Sequence, residues 1–189
     1  MESNLEIEYK FHADTISKVK FHSKIESIMN QQIHGFLCIS CDDYYVKNGV
    51  EGFLRHRKGG SKHELTLKTK RNENTVRKEV NIDLGSNDDQ NIVEFLVLSG
   101  YRKKFSIFKE AWVYELGNCD LSFYTLSDGR SFIEIEATKY NSEEEGVAII
   151  DKWKDMLSLE DSQREKRSLF EIFSDEESCN NTCVSCECT

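Results

Sequence analysis

Apolar and polar residues alternate with period two along much of this chain. Over residues 4–11, Leu5, Ile7, Tyr9 and Phe11 fall on one side, and Glu6, Glu8 and Lys10 on the other. That is the signature of a strand with two chemically different faces. Further strands are expected over residues 36–46, 53–57, 62–70, 75–83, 101–108, 112–116, 120–126 and 131–137. The turn chemistry lies between them, at Lys47-Asn48-Gly49, at residues 71–74 and at Ser127-Asp128-Gly129-Arg130. Period 3.6 replaces period two in four places. Asp14 can cap a helix running to about residue 30 with Ile16, Val19, Ile25 and Ile28 as its apolar stripe. Ser86 with Asp88 and Asp89 opens a short helix that stops at Gly100. Residues 142–157 are amphipathic through Val147, Ile150 and Trp153, and residues 163–173 form a last helix. The order predicts an α+β, mostly antiparallel domain over residues 1–173, followed by a flexible acidic, cysteine-bearing tail at 174–189.

The polar faces are charged to an unusual degree. Glu6, Glu8 and Lys10 share a side of the first strand, Arg55 and Arg57 a side of the third, and Glu64, Thr66, Lys68 and Lys70 a side of the next. Arg77 and Glu79 oppose Val76, Val80 and Ile82, with Lys78 interrupting the apolar row; Glu134 and Glu136 oppose Ile133 and Ile135. One such strand is most simply the solvated face of a sheet. Five in one chain, without the Ser, Thr, Asn and Gln that dilute ordinary surfaces, point to another arrangement. Helices would cover the apolar faces outside, and the charged faces would line a closed, ionised lumen. Mixed signs lower the cost of gathering such charges. Arginines and lysines suit a polyanion, and clustered carboxylates suit a hard divalent cation.

Composition narrows the partners. The 189 residues carry a formal net charge of −9, against binding to duplex nucleic acid. No run is long and apolar enough to span a membrane, and no secretion signal opens the chain. An odd count of seven cysteines argues for a reducing cytoplasm over a disulfide framework. Cys179, Cys183, Cys186 and Cys188 crowd the tail, where a flexible segment is expected rather than a metal knuckle. His12, His22, His34, His56 and His63 have no metal-ligand spacing with cysteine and read as surface or strand positions.

The charged strands also carry ordered motifs. Glu6-Ile7-Glu8-Tyr9-Lys10 matches ExExK. Asp42-Asp43-Tyr44-Tyr45, Leu54-Arg55-His56-Arg57, Leu65-Thr66-Leu67-Lys68 and Arg77-Lys78-Glu79 follow in order. Phe132-Ile133-Glu134-Ile135-Glu136 and Arg167-Ser168-Leu169-Phe170-Glu171 complete the set. Together they resemble the CYTH superfamily, the triphosphate tunnel metalloenzymes, from Leu5 to about Phe173. The resemblance implies a closed eight-stranded antiparallel β-barrel, the triphosphate tunnel, with amphipathic helices outside.

It further implies Mg²⁺ or Mn²⁺ held by Glu6, Glu8, Glu134 and Glu136, with Glu79 and Asp120 assisting. Lys10, Arg55, Arg57, Lys68 and Arg77 would bind phosphate oxygens, and Glu8, Lys10 and Glu136 would be catalytic. The family's K-x-R pair is replaced by Arg102-Lys103-Lys104. Arg102 and Lys104 share a face and are the expected phosphate contacts; a slip of one residue would present Lys103 instead. The implied activity is metal-dependent hydrolysis of inorganic tripolyphosphate, a nucleoside triphosphate or thiamine triphosphate, by a monomer or homodimer. The alternatives are a class IV-like adenylyl cyclase and a non-catalytic binder of a phosphorylated small molecule.

Overall fold

The structure, a computed structural model, describes residues 5–59, 62–69 and 77–184. Among the described residues ten strands form one antiparallel sheet: β1 (Leu5–Glu6), β2 (Glu8–His12), β3 (Phe36–Val46), β4 (Phe53–Lys58), β5 (Glu64–Lys68), β6 (Arg77–Asp83), β7 (Arg102–Glu115), β8 (Cys119–Leu126), β9 (Ser131–Ala137) and β10 (Arg164–Glu165). Their spatial order is β1-β6-β5-β4-β3-β7-β8-β9-β2-β10. Four α-helices accompany them: α1 (Lys18–Met29), α2 (Asp89–Leu98), α3 (Glu143–Leu157) and α4 (Leu169–Val184).

The expected ring of eight strands is not what the ladder forms, and the reason lies at Ile7. β1 and β2 are consecutive in sequence but part company there. β1 pairs with β6, placing Glu6 opposite Arg77, while β2 pairs with β9. The Ile7 carbonyl accepts a hydrogen bond from the Ala137 amide at 3.0 Å. Beyond Glu6 the edge that β6 leaves is taken by β10, with Glu165 opposite Lys10. By its hydrogen bonds the sheet is therefore an open ten-stranded order, with the segment from Leu5 to His12 contributing near both ends.

Other boundaries also moved. The strands expected at 101–108 and 112–116 are one 14-residue strand, β7, because residues 109–111 continue the pairing with β3 and β8. Helix α1 is capped by Ser17, whose side chain accepts from the Lys20 amide, rather than by Asp14. Asp88 caps α2, and Ser142 caps α3, its hydroxyl accepting from the Glu145 amide. Gln163 ends a short 3-10 turn, and β10 intervenes before α4. α4 then runs to Val184, past Phe173 where the last helix was expected to end. The expected turn at residues 71–74 lies outside the described residues.

Three apolar clusters hold the layers together. α1 and α3 cover β2, β8 and β9 through Phe21, Ile25, Ile150 and Trp153 against Ile7, Tyr9, Leu121 and Ile135. Gly146 of α3 lets that helix lie directly on Ile7: a Cβ there would stand 2.6 Å from the Ile7 Cδ1. α2 sets Leu96 against Tyr45, Leu54 and Leu65 on the outer face of β3, β4 and β5. α4 differs, packing Leu169 and Ile172 with Tyr44, Phe53, Ile107 and Phe132. These strand residues belong to the opposite face of the sheet, so α4 sits at the end of the space that the sheet encloses. The helical cover is incomplete: Val80 and Ile82 on β6 and Phe108 on β7 are exposed.

Candidate functional site

The charged faces of the strands meet around one cavity of about 260 Å³. It is lined by Glu6, Glu8, Lys10, Arg55, Arg57, Lys68, Glu79, Asp120, Glu134 and Glu136, all expected from the sequence. Asp42, Glu64, Lys62 and Lys109 line it as well. Convergence follows from the pleat. Alternate side chains of every strand point to one face, and antiparallel register brings equivalent positions of neighbouring strands side by side.

The cavity holds charges of both signs. At one end Glu8 pairs in register with Glu136, and Glu136 with Asp120, making a row of three carboxylates on three strands. Loss of solvation, reinforced by Glu8 and Glu6, pushes the Glu136 carboxyl up to about 8. Glu136 is nonetheless open to the cavity's water. Burial and Glu115 also raise Asp120. Crowded carboxylates repel one another when ionised, and an oxygen-only donor set is what Mg²⁺ and Mn²⁺ take. The residues present therefore fit a hard divalent cation.

Elsewhere in the cavity cations are paired with carboxylates. Arg57 donates to both carboxylate oxygens of Asp42, at 2.8 and 2.7 Å. Burial alone would raise the Asp42 carboxyl, but the Arg57 hydrogen bonds hold it well below the usual carboxylate range. Arg55 donates through Nη2 to Glu64 and Thr66 at 3.0 and 2.9 Å. The Arg55 Nε and the Ser40 hydroxyl are buried without a hydrogen-bond partner among the described residues, as groups reserved for a ligand would be. Lys68 bridges Glu6 and Glu79, the latter at 2.8 Å. Burial would raise the Glu79 carboxyl, yet Lys68 brings it down to about 2.

Toward α4, the Lys10 ammonium donates to the Arg167 carbonyl at 3.3 Å and lies 3.4 Å from Glu134. The Tyr124 hydroxyl donates to the same Glu134 oxygen at 2.9 Å. Ser168, Leu169 and Phe170 line this end, with Phe170 stacked on Phe53 at 4.5 Å between ring centroids. Ser168 and Glu171 form a reciprocal cap: each side chain accepts from the other's backbone amide, at 2.6 and 3.2 Å.

Two expected phosphate contacts are elsewhere. Neither Arg102 nor Lys104 is among the residues lining the cavity. Arg102 is exposed. The Lys104 ammonium lies 3.9 Å from Glu177 and over the Phe170 ring. A β-bulge shifts the register there. Tyr44 pairs with Phe105 but Tyr45 with Lys103, so Lys104 is the extra residue. Without it the odd-numbered row of Phe105, Ile107 and Lys109 would continue inward to Lys103. With it, Lys103 turns outward and meets Asp43 at 2.7 Å. Asp43 points away from the cavity, as its place opposite Asp42 in the pleat implies, and also binds Lys58 at 2.8 Å. The Arg77 side chain lies outside the described residues.

Lys109 was missed because the sequence reading ended a strand at Phe108. Had β7 been read through, the alternation of Ile107, Lys109, Ala111 and Val113 would have placed it inside. Burial and the neighbouring Arg57 lower its ammonium to about 8.

No family model matches the sequence, and no curated protein does. Solved structures do match. The PH1012 protein from Pyrococcus horikoshii OT3 is 23% identical over 88% of this chain and 98% of its own, with a TM-score of 0.73. The conserved hypothetical protein Pfu-838710-001 from Pyrococcus furiosus is 27% identical over the same shares, with a TM-score of 0.72. A candidate adenylate cyclase from Vibrio parahaemolyticus is 15% identical over 92% of this chain and 99% of its own, with a TM-score of 0.71. What these likenesses carry is a common fold, and activity must be argued from the side chains.

Proposed function

We propose, on the premise that this chain has the fold of the CYTH superfamily, that it is a divalent-metal-dependent triphosphatase. The observation that carries the reading is the meeting of both charges in one cavity: a carboxylate row of Glu8, Glu136 and Asp120 shares it with Lys10, Arg55, Arg57, Lys68 and Lys109. An anion alone would be repelled by the first group and a cation alone by the second. A metal-bound polyphosphate satisfies both.

In this reading the strand from Leu5 to His12 closes the sheet into a tunnel. Glu6, Glu8, Asp120 and Glu136, with Glu79 and Glu134 nearby, hold Mg²⁺ or Mn²⁺. Bound there, the ion would neutralise charge building on the phosphoryl oxygens in the transition state. Lys10, Arg55, Arg57, Lys68, Lys109 and Arg77 align the polyphosphate, and positioning supplies most of the remaining rate. Arg102 and Lys104 have no part in it. Lys10 and Tyr124 fix Glu134 in one orientation. Glu136, one of the ion's carboxylates, would help to orient an attacking water.

The test is turnover of tripolyphosphate, ATP and thiamine triphosphate with Mg²⁺ or Mn²⁺, the products resolved by ion exchange. Orthophosphate is the expected product. Cyclic AMP with pyrophosphate would replace the hydrolase by a cyclase, and tight binding without turnover would replace it by a binder.

A further inference from the structure

His56, on β4 between Arg55 and Arg57, points to the opposite face of the sheet from both. It is a strand position, as one reading of the sequence had it, but fully buried rather than at the surface. Its Nε2 lies 3.0 Å from the Nε2 of His63 and 3.7 Å from Oδ1 of Asp89, the first residue of α2. His63 Nε2 and Asp89 Oδ1 are 2.9 Å apart. These residues come from β4, the segment entering β5, and α2, so only the folded chain assembles them.

A network of hydrogen bonds serves this arrangement poorly. His63 Nδ1 lies 3.1 Å from the Gly85 carbonyl, which can only accept, so Nδ1 carries the proton. In neutral His63 the Nε2 then presents a lone pair, with the Asp89 carboxylate at 2.9 Å and a second imidazole nitrogen at 3.0 Å. The His63 and Asp89 lone pairs would then face each other at 2.9 Å, and a proton on His56 Nε2 could satisfy only one of them. If His63 is protonated instead, one hydrogen must serve both neighbours. His56 Nδ1 meanwhile has no hydrogen-bond partner among the described residues.

The three separations define a triangle whose circumcentre lies about 1.9 Å from each corner. That is just inside the usual zinc bond lengths of about 2.0–2.1 Å to nitrogen or carboxylate oxygen. An ion slightly out of the plane would reach all three atoms at normal length. Orientation of a ligating histidine by Nδ1–H donation to a backbone carbonyl is the usual supporting contact of such sites.

We infer that His56, His63 and Asp89 form a second metal site, distinct from the cavity, that takes a zinc-like divalent cation through two imidazole nitrogens and one carboxylate oxygen. The donor set favours Zn²⁺ or Co²⁺ over Mg²⁺, which prefers oxygen alone. Asp89 is exposed, which leaves the fourth position to solvent. Burial and the Lys58 ammonium both disfavour protonation of His56, while Asp89 and Asp43 oppose them. Bound metal would tie the first turn of α2 to β4 and so brace the strand whose other face carries Arg55 and Arg57. The inference does not depend on the reading of the cavity.

The experiment uses the full chain, with Cys179, Cys183, Cys186 and Cys188 replaced by serine and Glu136→Gln added, so that neither tail thiolates nor the cavity carboxylates supply a competing site. Co²⁺ is titrated into the chelator-treated protein and followed by visible absorption, and Zn²⁺ by calorimetry. The expected result is one ion per chain with a tetrahedral cobalt spectrum and a zinc-dependent rise in melting temperature. His63→Gln and, separately, Asp89→Asn should weaken Zn²⁺ binding by about 100-fold or more, since even loss of a supporting contact costs 10–100-fold. Both residues are partly exposed, and circular dichroism is the check that each variant folds. Absence of binding in the starting protein, or undiminished binding in either folded variant, overturns the site and leaves a proton-shared cluster.

Discussion

Arg57 grips Asp42 with two parallel hydrogen bonds, through Nε and Nη2, across the β3–β4 pair. Asp42 is almost completely buried, so this contact has a structural duty as well as a place in the cavity. Removing the guanidinium would strand a buried carboxylate. Arg57→Ala is therefore expected to cost about 3 kcal/mol of stability, read by urea denaturation, in addition to raising KM for a triphosphate. The depressed Asp42 carboxyl makes its stabilisation present above the ordinary carboxylate range and lost as the pH falls through and below it. A variant as stable as the parent would show that water replaces the guanidinium.

Glu136 has the opposite sign. Its carboxyl titrates at about 8, well above that of an unfolded chain. Between roughly pH 4.5 and 8 the folded protein thus binds the extra proton, and stability falls as the pH rises. In chelator, the melting temperature should drop from pH 6 to pH 8 by more in the parent than in Glu136→Gln. Mg²⁺ should reverse the drop, because binding the ion replaces the proton. Glu136→Gln should also abolish metal-dependent turnover. Full activity in that variant would remove Glu136 from the metal site.

Lys109 provides a test that the family motifs do not suggest. Its ammonium is lowered to about 8, so it loses charge as the pH rises through that value. KM for tripolyphosphate should rise above pH 8 and the rise should be smaller in Lys109→Met. Loss of a charge-assisted phosphate contact is worth about 1.5–3 kcal/mol, or on the order of tenfold or more in KM at neutral pH. Lys104→Ala, by contrast, should leave KM unchanged, because that side chain lies outside the cavity lining.

Phe170 packs against Phe53, Tyr44 and Phe105 at the α4 end of the cavity. Phe170→Ala should destabilise by less than the about 3–5 kcal/mol of a fully buried phenylalanine, since it is only half-buried. It should also open that end to solvent. Faster amide exchange in residues 168–172, measured by mass spectrometry, is the expected sign.

How much of this was readable in advance differs from strand to strand. Alternation placed Glu6, Glu8, Lys10, Arg55, Arg57, Lys68, Glu134 and Glu136 correctly on the faces that line the cavity, because the pleat sends every second side chain the same way whatever the strand pairs with. It did not settle Arg102, Lys103 and Lys104, and Lys109 was missed only because a strand end was expected at Phe108. One bulged residue reverses the faces along β7, and no local signal marks it. The split at Ile7 was equally silent. It depends on β10, a two-residue strand more than 150 positions away, taking the edge that β6 vacates.

Side-chain direction within each strand was thus determined by the chain's own covalent geometry and its period-two pattern. Which strands meet, where the ladder slips, and whether His56, His63 and Asp89 share a point were decided only by long-range packing. Those outcomes turn on contacts between residues distant in sequence, whose energies no window of neighbouring residues contains.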